Sequence, residues 1–190
     1  MEGIYQNIHQ DLINACRGGD RKAQFKIYKL YYKAMFNTSL RIVNDSAEAE
    51  DIMQESFLDA FRRLDSYTAE GSFGMWLKRI VVNNSLDALR RRKEMLSIEE
   101  AGVDLPDPGD TYDEEGIQYQ VQEVKNAIAR LPEEYRIVVS LFLLEGYDHE
   151  EISEILGITN QLSRTRYSRA RQKLLEIIRE NRLTNAFIYN

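Results

Sequence analysis

The stretch from Asp148 to Lys173, DHEEISEILGITNQLSRTRYSRARQK, leaves this chain few options. Ile152, Ile155 and Leu156 recur at helical spacing, so the first part reads as a short helix with one apolar face. Gly157 follows directly, where helices commonly end on a left-handed residue. Ile158 fills the turn, and Thr159 or Asn160 can cap a second helix by accepting a backbone N–H bond. That second helix carries Arg164, Arg166, Arg169, Arg171 and Lys173. Helix, Gly-containing turn and basic helix form the helix-turn-helix pattern, which lays its second helix in the major groove of DNA. An ordinary helical hairpin with a solvated basic face has the same local pattern, so the rest of the chain must separate the two.

The chain has 190 residues, enough for one domain or two small ones. Only 3 prolines and 10 glycines occur and alternating runs are scarce, which predicts an all-helical protein. Cys16 is the single cysteine, so no internal disulfide can form and a reducing cytoplasm is expected. The first residues, MEGIYQNIHQ, lack the basic and apolar regions of a signal peptide, and the longest apolar runs fall far short of a membrane span. The net charge of −6 argues at first against a nucleic-acid partner, but its distribution reverses that.

Residues 6 to 43 read as helix, begun by an apolar stripe at Ile8, Leu12 and Ile13 and broken at Gly18-Gly19. Asp20 is placed to cap the second part. There Phe25, Tyr28, Leu30, Tyr31, Met35, Phe36, Leu40 and Val43 predict a broad buried face. Next, Asp45 and Glu48 stand at capping-box spacing before AEAEDIMQESFLDAFRRL. Ile52, Phe57, Leu58, Phe61 and Leu64 are expected inside, and Glu48, Glu50, Asp51, Glu55 and Asp59 make the outside acidic. Such a face is either solvated or docked on a basic protein. It lacks the Glu-x-x-His pairs of a bundle metal site, since His9 and His149 are the only histidines.

After the loop Ser66 to Ser72 comes FGMWLKRIVVNNSLDALRRRK. Phe73, Trp76, Leu77, Ile80, Val81, Leu86 and Leu89 form its buried stripe. Lys78, Arg79, Arg90, Arg91, Arg92 and Lys93 oppose the single acid Asp87. Asn83 and Asn84 are unusual inside a helix; amides there either bond base edges or serve the surface and core. From Glu94 to Gln118 nine acids occur without Lys or Arg, together with Pro106, Pro108 and Gly109. This acidic linker is the domain boundary and accounts for the negative total. Beyond it, Val121 to Leu131 and Glu133 to Leu144 read as helices, the latter with Ile137, Val138, Leu141, Phe142 and Leu144 as core face. The helix after the turn runs on through Leu174, Leu175, Ile177 and Ile178, and the tail LTNAFIYN stays unassigned.

The fold expected is all-α: two small helical domains joined by an acidic linker, each domain ending in a basic helix, the second holding the helix-turn-helix. In this layout the chain resembles the two-domain extracytoplasmic-function (ECF) sigma factors of bacterial RNA polymerase. AEDIMQESFLDAFRRL at 49–64 looks like the family's polymerase-docking helix. SFGMWLKRIVVNNSLDALRRRK at 72–93 looks like its −10-reading helix, with Trp76, Leu77, Ile80, Asn83, Asp87 and Arg90 to Arg92 in register. LPEEYRIVVSLFLLEGYDHEEISEILGIT at 131–159, with SRTRYSRARQKL at 163–174, looks like its −35-reading unit. Ser163 stands where many members carry an apolar residue, so packing of that helix differs here.

The resemblance implies sigma domain 2 over 1–93, the linker over 94–118, sigma domain 4 over 119–183 and a tail over 184–190. It implies polymerase docking through Asp51, Gln54 and Glu55. It further implies −10 contacts through Tyr67, Lys78, Arg79, Asn83, Asn84, Arg90 and Arg91, with a non-template base turned out near the Ser66 to Ser72 loop. On the −35 helix, Arg164, Thr165, Ser168 and Arg169 share a face, while Tyr167, Ala170 and Leu174 share another that is expected to be core. Asn160 at the helix start suits phosphate or base, an outward Arg can take guanine bidentately, and Arg166 and Arg171 suit phosphates. The partners implied are polymerase core, promoter DNA and an anti-sigma protein, in the cytoplasm, with no metal, no cofactor, no membrane insertion and no catalysis by this chain alone. Two other classes remain: a palindrome-binding helix-turn-helix regulator, and an enzyme built on the acidic helix. The second lacks a phosphate loop, metal-ligand spacing and a nucleophile elbow.

Overall fold

The computed structural model describes residues 9–68, 71–96 and 117–188, and among these no strand occurs. Among the same residues there are eight α-helices: α1 Gln10–Arg17, α2 Arg21–Val43, α3 Ser46–Arg62, α4 Phe73–Leu96, α5 Ile117–Ala129, α6 Glu133–Val139, α7 His149–Leu156 and α8 Asn160–Ile188. They fall into two compact units, residues 1–103 and 104–190. Ile8, most of the acidic linker (97–116) and the side chains of Arg182, Phe187 and Ile188 lie outside the described residues.

In the first unit α2 packs on both α3 and α4, and α1 on α2. Local chemistry sets the joints. Asp20 caps α2 by accepting from the backbone of Lys22 and Ala23, and Asp45 caps α3 by accepting from Glu48 at 2.8 Å. Asn44 ends α2 in the left-handed region (φ 58°), a conformation Asn tolerates better than most residues. The core gathers Ile13, Ile27, Met35, Met53, Phe57, Phe73, Leu77 and Val81. Small polar residues let α2, α3 and α4 approach closely: Ser39, Ser56 and Ser85 are fully buried. The Ser85 hydroxyl donates to Val81 O (2.7 Å) and lies 3.0 Å from Ser39 Oγ.

Three apolar side chains expected inside point out. Phe25 is 58% exposed, Leu30 52% and Leu58 56%. On α2 the buried row is Ala23, Ile27, Met35, Ser39, Ile42 and Val43, so the helix is turned away from the Phe25 and Leu30 edges of its apolar arc. Lys29 lies over the Phe25 ring, 5.0 Å from its centroid.

In the second unit α5, α6 and α7 all pack on α8. Ala127, Ile128, Leu131, Val139, Ala170, Leu174 and Ile177 form the core, flanked by Tyr135, Tyr167 and Ile178. The helix expected to run from Glu133 to Leu144 instead widens into a π-turn over Ser140–Leu144. The extra residue in that turn rotates the positions beyond it, so Leu141 is buried while Leu143 and Leu144 are exposed, against the core position expected for Leu144. Asp148 then closes a capping box with Glu151 at the start of α7. Gly157 ends α7 at φ 64°, where a Cβ would be strained. Thr159 is the residue that caps α8, accepting from Leu162 N at 3.1 Å. The helix then continues to Ile188 and takes in most of the segment read as tail.

Candidate nucleic-acid interface

The second basic helix presents one continuous outer row. Gln161, Arg164 and Ser168 follow one another at steps of three and four residues on α8, Arg171 and Gln172 lie three and four residues beyond Ser168, and all are exposed. Arg169 and Lys173 form a second exposed row beside it. Thr165 is half-buried and its hydroxyl donates to Gln161 O at 2.8 Å. Ala170 and Leu174 are buried and Tyr167 packs against them, as helical spacing predicted. Arg164 donates from Nε to Asn160 Oδ1 at 2.8 Å. That bond steadies the guanidinium while using the one donor that a bidentate grip through both Nη groups does not need. Asn160 is therefore engaged with its own helix. Arg166 pairs with Glu134 of α6 at 3.0 Å.

The sequence marks Gln161 only as part of the unusual Gln161-Leu162-Ser163 helix start, where specificity is expected to differ, and gives no separate notice of Gln172. Their signal was the spacing itself: each lies three, four or eight residues from Arg164 or Ser168. A Gln amide offers a donor and an acceptor together, the pair that adenine N7 and N6 require.

The first basic helix orders its residues differently. Met75, Arg79, Asn83, Asp87, Arg90 and Arg91 follow one another along the exposed side of α4. Arg90 bonds Asp87 at 2.7 Å on the helix surface. Lys78 is half-buried. Asn84, beside the exposed Asn83, turns to the neighbouring helix and donates to Ser56 Oγ (3.0 Å) and towards Asp59 Oδ2 (3.4 Å) on α3. Arg92 pairs with Glu48 of α3. Tyr67 is only 3% exposed. Its ring packs 5.5 Å from both Phe73 and Trp76, its hydroxyl donates to Gly71 O (2.7 Å), and its carbonyl accepts from Arg17 (2.6 Å). Tyr67 thus anchors the loop before α4 rather than offering a surface. Basic charge alone does not locate a DNA path in this unit, because α2 also carries Arg21, Lys22, Lys26, Lys29 and Lys33 with no acid.

On α3, Asp51, Gln54, Glu55 and the outward Leu58 fall on one exposed face at i, i+3, i+4 and i+7. Among the described residues no group of His, Cys, Asp and Glu could hold a metal ion, and no helix is long and apolar enough to cross a membrane.

Residues 27–95 match the Sigma-70 region 2 family, and residues 121–174 match Sigma-70, region 4. The chain is 29% identical over 178 residues to the ECF RNA polymerase sigma factor SigW of Bacillus subtilis, covering 88% of this chain and 95% of SigW. It is 32% identical over 180 residues to the ECF RNA polymerase sigma-E factor of Haemophilus influenzae, covering 89% and 94%. Two solved structures share its fold. One is the sigma factor RpoE of Bartonella quintana in complex with the anti-sigma factor NepR, at TM-score 0.61 and 21% identity over 81% of this chain and 95% of that one. The other is CnrH in complex with the cytosolic domain of CnrY, at TM-score 0.54 and 20% identity over 89% and 96%.

Proposed function

The chain belongs to the extracytoplasmic-function group of bacterial RNA polymerase sigma factors, which direct the polymerase to promoters, and from that premise we propose how its two units divide the work. The second unit reads the −35 element through the outer row of α8. Gln161 and Arg164 take base edges at the N-terminal end of the helix, where a recognition helix meets the groove floor. Ser168, Arg169 and Arg171 hold phosphates, which set the register without reading sequence. The first unit reads the −10 element along α4 through Arg79, Asn83, Arg90 and Arg91. Lys78 lies at the edge of that line, and Tyr67 and Asn84 support it from within.

The α3 face of Asp51, Gln54 and Glu55 docks on the polymerase core, with Leu58 as its apolar anchor. Catalysis then resides in the core, and this chain is a regulatory subunit that works in the cytoplasm. An anti-sigma protein that covers these faces would keep the chain idle; two relatives in shape were solved with partners of that kind or with a cytosolic partner domain. The observation that carries this reading is the unbroken exposed row from Gln161 to Gln172, set behind a Gly157 turn and a capped α7. Transcription by core polymerase on a promoter library, with and without the chain, tests it. Start sites that depend on the chain and share −35 and −10 sequences are expected, and their absence would overturn it.

A further inference from the structure

Ser163 is a polar residue buried in the second unit, and the fold explains how it is accommodated. It is 0% exposed, on the inward side of the first full turn of α8. A buried hydroxyl costs stability unless it is bonded. Its Oγ lies 2.9 Å from Nδ1 of His149, the first residue of α7. The imidazole stacks on Phe142 of the π-turn, with centroids 4.6 Å apart and planes 19° apart, and meets Tyr167 of α8 edge-on at 5.5 Å. The Asp148–Glu151 capping box holds the backbone on which His149 sits. Three elements therefore converge on one ring: the π-turn, α7 and α8.

We infer that the His149–Ser163 hydrogen bond is a positioning clasp that sets the rotation of α8 about its own axis and thereby selects the −35 base pairs within reach of Gln161 and Arg164. The inference rests on the −35 reading proposed for α8. An apolar contact at this point tolerates sliding, because burial has no direction. A hydrogen bond does not, since it weakens steeply as distance and angle depart from their optimum. The gain from such rigidity is large at the groove. A rotation of roughly 20° in a helix whose side chains reach about 6 Å from the axis shifts them by about 2 Å, enough to break a base contact. Arg164 follows Ser163 directly and is itself tied to Asn160, so rotation at Ser163 passes straight to the reading row. Ser163 and His149 are positioning residues, and neither touches DNA.

The test uses full-length chain and promoter duplexes selected by the wild type, and compares each with single-base −35 variants. The readout is the ratio of the two dissociation constants. Ser163→Ala and His149→Ala are each expected to lower that ratio about fivefold, the scale of one neutral hydrogen bond. The double variant is expected to lose no more than either single. His149→Asn, which keeps a polar atom near the Nδ1 position, is expected to retain most of the discrimination. Ser163→Val, which keeps the site filled, should hold overall affinity and still lose discrimination, so a folding defect is told apart from lost positioning. Losses that multiply in the double variant, or unchanged ratios in both singles, would overturn the clasp and leave the −35 reading standing. A wild type with no −35 preference overturns both.

Discussion

Arg166 of the recognition helix and Glu134 of α6 form an ion pair of 3.0 Å, with the arginine side chain mostly covered and the carboxylate half open. One of the bases that spacing marks for a phosphate is thus held by the protein's own acid. Any phosphate must compete with Glu134 for it.

Glu134→Gln should free Arg166 and raise non-specific duplex affinity. The slope of log K against log salt should steepen by about one counterion. Titration of duplex binding between low and moderate salt measures this. An unchanged slope means that Arg166 never faces the DNA backbone.

Arg164→Ala should relax −35 base selection at one or two positions, at about 1–3 kcal/mol for a lost bidentate contact. Gln161→Ala should relax a neighbouring position. Ser168→Ala should instead weaken binding evenly across sequences. Selection experiments on randomised −35 duplexes distinguish the three, and identical profiles for wild type and Arg164→Ala would place the contact row elsewhere.

The two adjacent amides of α4 should separate cleanly. Asn84→Ala removes the donor that Ser56 and Asp59 receive from α4, and is expected to destabilise the first unit by about 1–2 kcal/mol. Asn83→Ala, on the exposed side, should leave the melting temperature alone and change −10 preference. Thermal unfolding and start-site mapping on the same two variants check both halves.

His149 gives the second unit a pH dependence. Burial first, and then the positive charge of Arg164, hold its imidazole below the ordinary value of 6.5, while Asp148 acts in the opposite direction. The other groups packed against the ring are Phe142 and Tyr167. With the folded value lowered, the unfolded chain takes up the proton first. The contribution of this residue is therefore complete above about pH 6.5 and declines as pH falls towards the lower folded value. The stability difference between wild type and His149→Asn, read from denaturant midpoints between about pH 7.5 and 5, should be constant above about 6.5 and shift against the wild type as pH falls below it. Parallel curves would refute this.

Leu58→Ala should weaken assembly with polymerase core about tenfold, or roughly 1.4 kcal/mol, without lowering stability. Its side chain is mostly open to solvent, so nothing in the core is lost with it. An assembly constant equal to wild type would mean that Leu58 is an ordinary exposed leucine.

Much of this architecture is readable in the residues. Asp20, Asp45, Gly157 and the Gly18-Gly19 break mark helix ends that the structure keeps, because a cap or a left-handed residue acts within four positions of itself. Ala170 and Leu174 fall inside for a similar reason: helical periodicity reports which residues share a side. It does not report how far the helix is turned against its neighbours. Phe25, Leu30 and Leu58 each belong to a wide apolar arc, and the crossings among α2, α3 and α4 decided which edge of the arc was covered. Leu144 was displaced by a π-turn that no residue pattern announced.

The sequence by itself determined the all-helical class, the partition of charge into two basic helices and an acidic linker, the helix-turn-helix and the family. All of these are composed of local preference and order along the chain. The tertiary structure alone decided which polar residues work inside the protein. Asn84 meets Ser56 across 28 residues, His149 meets Ser163 across 14, and Arg166 finds Glu134 on a separate helix. Such pairs form only where packed helices bring distant positions within about 3 Å, and a hydrogen bond vanishes with a displacement too small for any periodicity to record.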